Sequence, residues 1–240
     1  MMNELEKLKQ IIEESSSIVF FGGAGVSTES AIPDFRSASG LYQNKHDSYP
    51  AEEILSHHFF TQHKDIFYDF YIHKMIYPNA VPNLAHQALA TLEARGKLKA
   101  IITQNIDGLH QMAGSQNVIE LHGSVKRNHC LTCNTFYDEH VLIQTKGVCP
   151  KCSGYIKPDV ILYEELLDDD VIEKAIYFLS SCDTLIVGGT SLRVYPAAGL
   201  IQYFKGKHLV LINKEKTPFD EGAEIIIHDS IGKILNEMIK

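Results

Sequence analysis

Six short apolar runs, with helix-like segments between several of them, constrain the fold of this chain more than any other feature. The runs are Ser17–Phe21, Ala100–Thr103, Val118–Leu121, Thr184–Val187, Leu209–Ile212 and Glu224–Ile227. Helical patterns cover Val171–Leu179, Ala197–Phe204 and Ile231–Ile239. Strands that alternate with helices predict an α/β fold, a Rossmann-like and mostly parallel sheet that is covered on both faces.

Two stretches interrupt this alternation. The first, from about residue 41 to 94, has a helical pattern, includes the aromatic-rich segment FFTQHKDIFYDFYIHKMIY and contains no obvious strand. The second, from about residue 125 to 157, holds four cysteines and few apolar residues. We predict that both are insertions, 41–94 and 125–157, which together form a smaller domain. The Rossmann-like domain then comprises residues 1–40, 95–124 and 158–240.

The cysteines of the second insertion predict a metal site. They form two Cys-x-x-Cys pairs, Cys130/Cys133 and Cys149/Cys152, with residues 134–148 between them. This is the lower edge of the zinc-ribbon spacing, and four thiolates complete a tetrahedral Zn²⁺ shell without leaving a place for water. The pairs therefore predict one structural zinc ion per chain, with two independent redox pairs as the alternative. Cys182 precedes an apolar strand and is expected to be a small buried residue.

Net charge and composition limit the kinds of molecule that this chain is expected to bind. A net charge of −8 argues against nucleic acid held by bulk electrostatics and weakly favours a cationic partner, such as a lysine-bearing protein segment. The N-terminal residues MMNELEKLKQIIEESSS contain no unbroken apolar run, so neither a signal peptide nor a membrane span is predicted. We accordingly expect a cytoplasmic protein. The apolar residues Leu5, Leu8, Ile11 and Ile12 lie at helical spacing and predict a packed surface helix.

A glycine-rich turn follows the first predicted strand. Gly22-Gly23-Ala24-Gly25 is suited to a sharp turn whose backbone approaches a phosphate group, but Thr28 stands where a dinucleotide fingerprint would have its third glycine. A tight strand-to-helix turn without a ligand is the alternative.

A short loop lies directly behind this turn. Pro33 prevents a helix from continuing, so Asp34, Phe35 and Arg36 are expected on a loop, where Phe35 can cover a ring and Arg36 can pair with phosphate. Otherwise Phe35 is a core residue and Asp34–Arg36 a surface pair.

Polar side chains also follow two later strands. Gln104, Asn105 and Asp107 come after Thr103, and their carboxamides and carboxylate are suited to ribose hydroxyls and an amide-bearing ring. A capped strand-to-helix loop is the alternative. His122 follows the next strand, where a neutral imidazole can take a hydroxyl proton near pH 7, although a lone histidine is more often structural.

These motifs resemble those of the sirtuins, the NAD-dependent protein-lysine deacylases. The resemblance covers nearly the whole chain, and the motifs occur in the family's order. They are Gly23-Ala24-Gly25-Val26-Ser27 with Ile32-Pro33-Asp34-Phe35-Arg36-Ser37, then Gln104-Asn105-Ile106-Asp107, and then Leu121-His122-Gly123. The resemblance implies that the acetyl group of an acetyl-lysine protein substrate passes to ADP-ribose, with release of nicotinamide and free lysine.

The resemblance also assigns residues. His122 is implied as the base on a ribose hydroxyl, and Asn105 and Asp107 as residues that order the nicotinamide pocket and its water. NAD contacts are implied for Gly23, Ala24, Gly25, Thr28, Asp34, Phe35, Arg36, Gln104, Asn105, Ile106, Asp107, His122, Gly189, Thr190, Ser191, Asn213 and Ile231. The segment Lys157–Glu165, with Val160, is implied to pair with the substrate peptide.

Some positions depart from the family pattern. The family usually has a threonine where this chain has Gly22. It usually has glycine at the positions of Ala31 and Glu164. Family members that prefer acidic acyl groups have a tyrosine and an arginine where this chain has Tyr68 and Tyr71. Because a guanidinium is the bidentate partner of a carboxylate, we expect acetyl or longer apolar acyl groups at these two substrate-binding residues.

Two other functions remain possible from the sequence, and a third is disfavoured. Mono-ADP-ribosyl transfer to protein uses the same cofactor, and a non-catalytic NAD- or acyl-lysine-binding module would use the ribbon for partners. A zinc hydrolase is disfavoured because a four-cysteine shell has no open position. The chain is expected to be a monomer.

Overall fold

The structure, a computed structural model, describes residues 3–35, 37, 40–43, 45–46 and 48–240. The α-helices are α1 Glu4–Glu14, α2 Ala51–Ile54, α3 His57–Gln62, α4 Lys64–Lys74, α5 Leu84–Ala94, α6 Leu109–Met112, α7 Glu139–Thr145, α8 Asp169–Ser181 and α9 Ile231–Met238. Short 3₁₀ helices lie at Ala24–Val26, Thr28–Ser30, Leu41–Gln43, Ala197–Tyr203 and Asp220–Gly222. The strands are β1 Ile18–Gly22, β2 Lys45–His46, β3 Tyr49–Pro50, β4 Leu98–Thr103, β5 Val118–Glu120, β6 Gly123–Cys130, β7 Phe136–Tyr137, β8 Ile156–Val160, β9 Thr184–Gly188, β10 His208–Ile212 and β11 Ile225–Ile227.

The main sheet has six strands in the order β11-β10-β9-β1-β4-β5, and every neighbouring pair is parallel. Each of these strands overlaps one of the six predicted apolar runs. The predicted α/β class and its mostly parallel sheet are therefore confirmed. Parallel strands require crossover connections, and α8 supplies one of them, before β9.

Residues of the central strands alternate between two apolar clusters, one on each face of the sheet. In β1, Ile18 and Phe20 belong to the first cluster, whereas Val19 and Phe21 belong to the second. All five residues of this strand are buried. Because successive side chains of a strand point to opposite faces, an unbroken apolar run such as Ile-Val-Phe-Phe requires helices on both sides.

Helices α1, α5 and α9 cover the first face. Helix α1 begins at a capping box, in which the Asn3 side chain accepts from the backbone N–H of Glu6 at 2.8 Å and the Glu6 side chain accepts from that of Asn3 at 2.9 Å. Helix α5 packs on α9, and its buried apolar residues lie in the first cluster. No helix in the described ranges is both long and apolar enough to cross a membrane.

A second, antiparallel sheet has the order β7-β6-β8. A third apolar cluster joins this sheet to helices α2–α4, with Phe60, Phe67, Val125 and Ile156 among its fully or almost fully buried members. Residues of both stretches, 41–94 and 125–157, therefore contribute to this cluster.

The two stretches were predicted to end at residues 94 and 157, but the apolar clusters and strand pairing place the boundaries elsewhere. Helix α5 belongs to the first cluster because its apolar face lies on the main sheet, and β8 extends the ribbon sheet to Val160.

Candidate active site

The loops after all six strands of the main sheet open into one cavity of about 630 Å³. Parallel strands end at the same edge, where ligands of open α/β sheets bind, and this volume is typical of small-molecule sites. Its walls include these residues predicted from the sequence: Gly23, Ala24, Gly25, Thr28, Asp34, Phe35, Gln104, Asn105, Ile106, Asp107, His122, Gly189, Thr190, Ser191, Asn213, Ile231, Tyr71 and Val160. Arg36 lies outside the described residues.

Two glycine loops meet directly at the base of the cavity. The backbone N–H of Gly25 donates to the carbonyl oxygen of Gly189 at 2.7 Å. A Cβ atom on Gly25 would lie 2.8 Å from the Cα of Gly189, and Gly189 itself has φ +62°. Side chains are thus excluded here by the contact between the loops. The chain after the turn forms two short 3₁₀ helices, Ala24–Val26 and Thr28–Ser30, and Ala31, with φ +62°, ends the second.

A hydrogen-bonded group joins the glycine loop to the loop after β4. The hydroxyl of Ser27 donates to Oδ2 of Asp107 at 2.7 Å, and Nδ2 of Asn105 donates to the Ser27 hydroxyl at 3.0 Å. The other Asp107 oxygen, Oδ1, accepts from the backbone N–H of Leu109 at 2.9 Å. Asp107 and Asn105 are therefore held in fixed orientations on the cavity wall. Ser27 was not predicted as a site residue, although it lies within the motif Gly23-Ala24-Gly25-Val26-Ser27.

A second group crosses from β4 to β9 and β10. Nε2 of Gln104 donates to Oγ1 of Thr190 at 3.0 Å. Asn213 exchanges two bonds with the backbone of Thr190, accepting at 3.0 Å and donating at 2.6 Å. These polar side chains fix the loops after three strands in one arrangement.

His122 has a defined proton position. Its Nδ1 lies 3.0 Å from the carbonyl oxygen of Gln104. A carbonyl can only accept, so the neutral ring carries its proton on Nδ1 and presents Nε2 as the basic nitrogen. Burial lowers the pKa of His122 below its ordinary value, and the bond to Gln104 offsets only part of this effect. The ring is thus neutral at pH 7 and can accept a proton.

The backbone beside His122 requires glycine. Gly123 has φ +75°, and a Cβ there would lie 1.9 Å from the carbonyl oxygen of Asp159. The carbonyl of His122 accepts from the backbone N–H of Ile161 at 3.0 Å. The segment after β8 is therefore attached directly to the backbone of His122.

The two predicted acyl-binding tyrosines have different surroundings. Tyr71 lies on the cavity wall. Tyr68 lies outside the cavity, since its hydroxyl donates to the carbonyl of Ile156 at 2.8 Å and its ring packs where a Cβ on Gly147 would be. Packing against the ribbon gives Tyr68 a structural role and does not support substrate contact.

Tyr42 and Tyr163 also line the cavity, and neither was singled out from the sequence, although Tyr163 lies within the segment Lys157–Glu165. The hydroxyls of Tyr42 and Tyr163 lie 2.5 Å apart, and the Tyr42 ring packs on Phe35 with centroids 5.3 Å apart. The loop behind the glycine turn is thus joined to the segment after β8. The neighbouring Glu164 adopts φ +76° in place of the family's glycine, and its carboxylate accepts from the backbone N–H of His58 at 2.9 Å.

The four ribbon cysteines form a metal-binding cluster, Cys130, Cys133, Cys149 and Cys152, whose sulfur atoms all lie within 4.8 Å of one another. Sulfur pairs lie 3.4 and 3.8 Å apart, close to the edge of about 3.8 Å expected for a tetrahedron with Zn–S bonds of about 2.3 Å. Burial opposes ionisation of Cys149, but the Tyr137 hydroxyl and two backbone N–H groups lower its pKa to about 6. The cluster is positioned to bind a structural zinc ion.

Residues 23–196 match the model of the Sir2 family, and the chain belongs to that family. It is 61% identical over 243 residues to an NAD-dependent protein deacetylase of Clostridium perfringens (strain 13 / Type A), with all of both chains covered. It is 54% identical to an NAD-dependent protein deacetylase of Cutibacterium acnes, with 96% of each chain covered.

Solved structures of the family superpose closely. A Sir2 variant with a deacetylated p53 peptide and 3′-O-acetyl ADP-ribose has a TM-score of 0.90 at 36% identity, covering 98% of this chain and 97% of that one. A Sir2–p53 peptide–NAD⁺ complex has a TM-score of 0.87 at 37% identity, covering 99% and 98%.

Proposed function

We propose that this chain is an NAD-dependent protein-lysine deacetylase that transfers the acetyl group of acetyl-lysine to ADP-ribose. The observation that carries the proposal is the position of His122, a neutral imidazole whose Nδ1 faces the Gln104 carbonyl on the wall of the strand-end cavity. Membership of the Sir2 family and the activity in the relatives' names support it.

The cavity residues fit a dinucleotide. Bound NAD supplies a glycosidic bond that breaks as nicotinamide leaves, and an ADP-ribose group that accepts the acetyl group. We assign the glycine loop Gly23–Gly25 to the phosphates, because its backbone lines the cavity without side chains beyond a methyl group. We assign Thr190, Ser191 and Asn213 to the adenosine half, where the loops after β9 and β10 meet.

Asp107 and Asn105 are proposed to bind the carboxamide and to order water. Asp107 uses both carboxylate oxygens within the protein and is held by Ser27 and Leu109, so its direction does not depend on a ligand. A carboxylate accepts and does not donate, so it suits the N–H groups of an amide. Phe35 provides an apolar ring on the cavity wall that would exclude water from the reacting face.

His122 is proposed as the general base. With its proton on Nδ1, the Nε2 lone pair can take a proton from a ribose hydroxyl, which makes that oxygen a better nucleophile. The hydrogen bond to Gln104 fixes the ring and partly compensates the positive charge that forms when Nε2 is protonated.

The substrate peptide is proposed to bind beside β8. This strand lies at the edge of the ribbon sheet, so one side of it can pair with an extended peptide, and Val160 at its end lines the cavity. An acetyl-lysine side chain inserted there would reach His122, whose carbonyl is bonded to Ile161 just after the strand. The cytoplasmic location and the monomeric state stay predictions.

The test is incubation with an acetyl-lysine peptide, with and without NAD. Nicotinamide release, free lysine and O-acetyl-ADP-ribose, all dependent on both substrates, are expected by mass spectrometry. A modified protein in place of O-acetyl-ADP-ribose would instead identify an ADP-ribosyltransferase. Absence of nicotinamide release would identify a binding module.

A further inference from the structure

Glu164 has a backbone conformation that glycine usually occupies. The backbone N–H of Glu165 donates to the carbonyl oxygen of Leu162 at 3.0 Å and closes a four-residue turn, in which Glu164 is the third residue. Glu164 has φ +76°, which favours glycine at this position of a turn. A residue with a Cβ atom is strained in this region, and such strain is concentrated at functional sites. The strained position of Glu164 therefore points to a function of its side chain.

The carboxylate of Glu164 has a defined place at the rim of the cavity. Its Oε2 accepts from the backbone N–H of His58 at 2.9 Å, which attaches the side chain to the start of α3. The residue is exposed and lines the cavity, as do its neighbours Tyr163 and Glu165. A molecule that enters this part of the cavity therefore meets a carboxylate whose position is already fixed.

The two adjacent glutamates differ in their charge partners. The Glu165 carboxylate accepts from Nζ of Lys157 at 3.1 Å and from the backbone N–H of Leu162 at 2.9 Å, and it lies 2.9 Å from Nδ1 of His57. Among the residues that the structure describes, Glu164 forms no ion pair. The fold thus balances the charge of Glu165 internally and leaves the charge of Glu164 for a ligand.

The surrounding segment adds further negative charge. Residues 158–173 include no lysine or arginine, and the exposed Asp168, Asp169 and Asp170 follow Glu164 closely in the chain. Like charges on one segment add to its field, which acts over about 8 Å at physiological salt. A cationic side chain is therefore favoured over an anionic one beside Glu164.

We propose that Glu164 determines which protein sequences are deacetylated, by pairing with a lysine or arginine within about three residues of the acetyl-lysine. This inference rests on the proposed deacetylase function and on a peptide bound beside β8. Glu164 is four residues beyond Val160, where β8 ends, and an extended chain advances about 3.3 Å per residue. A peptide whose acetyl-lysine enters the cavity beside Val160 therefore brings the residues on one side of the acetyl-lysine to Glu164.

The experiment measures kcat/KM for acetyl-lysine peptides that have alanine at every flanking position except one. That position carries arginine or glutamate and is moved through the three residues on either side. At one or more positions the unchanged protein should prefer the arginine peptide about three- to tenfold, because the comparison adds attraction of arginine to repulsion of glutamate. The difference should lie in KM, because an ion pair far from the reacting atoms forms equally in the ground and transition states. Added salt should reduce it.

Three variants of Glu164 separate charge from folding. Glu164→Gln removes the charge, keeps an oxygen that can accept from His58, and should bring the ratio to about one. Glu164→Gly should do the same while relieving the strained turn, so that a folding defect is not the cause. Glu164→Lys should reverse the ratio. The control is Glu173→Gln, which removes an exposed carboxylate of the same segment outside the cavity and should keep the ratio of the unchanged protein.

The Kd values of the same peptides are measured by calorimetry, with and without NAD, so that the preference is tested even without turnover. A ratio near one in the unchanged protein, or equal ratios in the unchanged protein and in Glu164→Gln, would overturn the inference while leaving deacetylation intact. Absence of NAD-dependent turnover of every peptide would refute the proposed function, and the Kd ratio would still decide on Glu164. Absence of binding by every peptide would overturn both.

Discussion

The imidazole rings of His86 and His110 pack edge to face, with centroids 4.7 Å apart, and both residues are at most 1% exposed. Nε2 of His86 and both ring nitrogens of His110 have no hydrogen-bond partner in the described part of the chain. Burial lowers the pKa of His86, and burial together with the neighbouring ring lowers the pKa of His110 to about 3. Two neutral histidines are therefore enclosed directly beside the Asp107 loop.

This pair predicts loss of stability in mild acid. Below pH about 6.5, the ordinary pKa of histidine, these two residues bind protons in the unfolded chain but stay neutral in the folded protein. The free energy of unfolding therefore falls as the pH falls. His110 alone should contribute about 1.4 kcal/mol per pH unit between about pH 6 and 4. Urea unfolding of the unchanged protein and of His110→Leu at several pH values measures the difference in slope. The exposed His140, replaced by leucine, is the control, and equal slopes in His110→Leu and the unchanged protein would contradict the assignment.

Tyr68 and Tyr71 predict opposite effects of the same substitution. Tyr68→Phe removes a buried hydrogen bond to Ile156 and should lower the free energy of unfolding by about 1 kcal/mol or more. Tyr71→Phe removes a hydroxyl that has no partner within the described residues and should leave stability unchanged or slightly higher. Thermal and urea unfolding of the two variants provide the comparison. A larger loss in Tyr71→Phe than in Tyr68→Phe would show that the hydroxyl has a partner in the folded protein.

Removal of zinc should destabilise the ribbon and the third apolar cluster. Cys130 and Cys149 are buried members of this cluster, so loss of the ion frees a segment that contributes to this core. A loss of about 4 kcal/mol or more is expected when a strong chelator competes for the ion. Metal analysis should give one zinc ion per chain in the unchanged protein and in Cys182→Ser, but not in Cys149→Ser. Full zinc content in Cys149→Ser would count against the four-cysteine site.

His122→Ala should reduce deacetylation by about 10²- to 10⁴-fold, the usual contribution of a general base. The lost hydrogen bond to Gln104 costs about 1 kcal/mol, so thermal stability should stay near that of the unchanged protein. Because burial lowers the pKa of His122, the acidic limb of kcat/KM should lie below pH 6.5. Retained activity in His122→Ala, with the melting curve unchanged, would remove His122 from the mechanism.

Acidic acyl groups should be poor substrates. Tyr71 is predicted to occupy the position of the arginine that pairs with a carboxylate in family members preferring acidic acyl groups, and the negative charge of Asp159 acts at the Tyr71 hydroxyl. An acetyl-lysine peptide should therefore be turned over at least about tenfold more efficiently than its succinyl-lysine counterpart. Competition between the two peptides in one reaction measures the ratio directly. Faster removal of the succinyl group would contradict this prediction.

The six strands of the main sheet were predictable because each is a short apolar run, and burial on both faces demands such a run. The residues after the strands followed from the rule that parallel strands end at one edge. The surroundings of individual buried side chains could not be predicted, because they depend on contacts between residues far apart in the sequence. Both Tyr68 and Tyr71 are buried aromatic residues of one helix, and only the position of Ile156, 88 residues away, decides which hydroxyl is satisfied.

Other features were hidden for the same reason. Tyr42 and Tyr163 are 121 residues apart in the chain, and neither neighbourhood indicates that their hydroxyls meet. Helix α5 has a regular apolar face, but its sequence does not say whether that face lies on the main sheet or on the ribbon. The contact between the glycine turn and Gly189 was hidden as well, because Gly189 follows β9, which is far from the turn along the chain.

The contact between Gly25 and Gly189 has a mechanical consequence. Backbone touches backbone there, so no rotamer change can absorb a displacement of either loop. A movement of the loop after β1 must therefore be accompanied by a movement of the loop after β9, so these two parts of the cavity wall move together. A ligand that binds the loop after one of these strands should therefore also reduce the motion of the loop after the other strand.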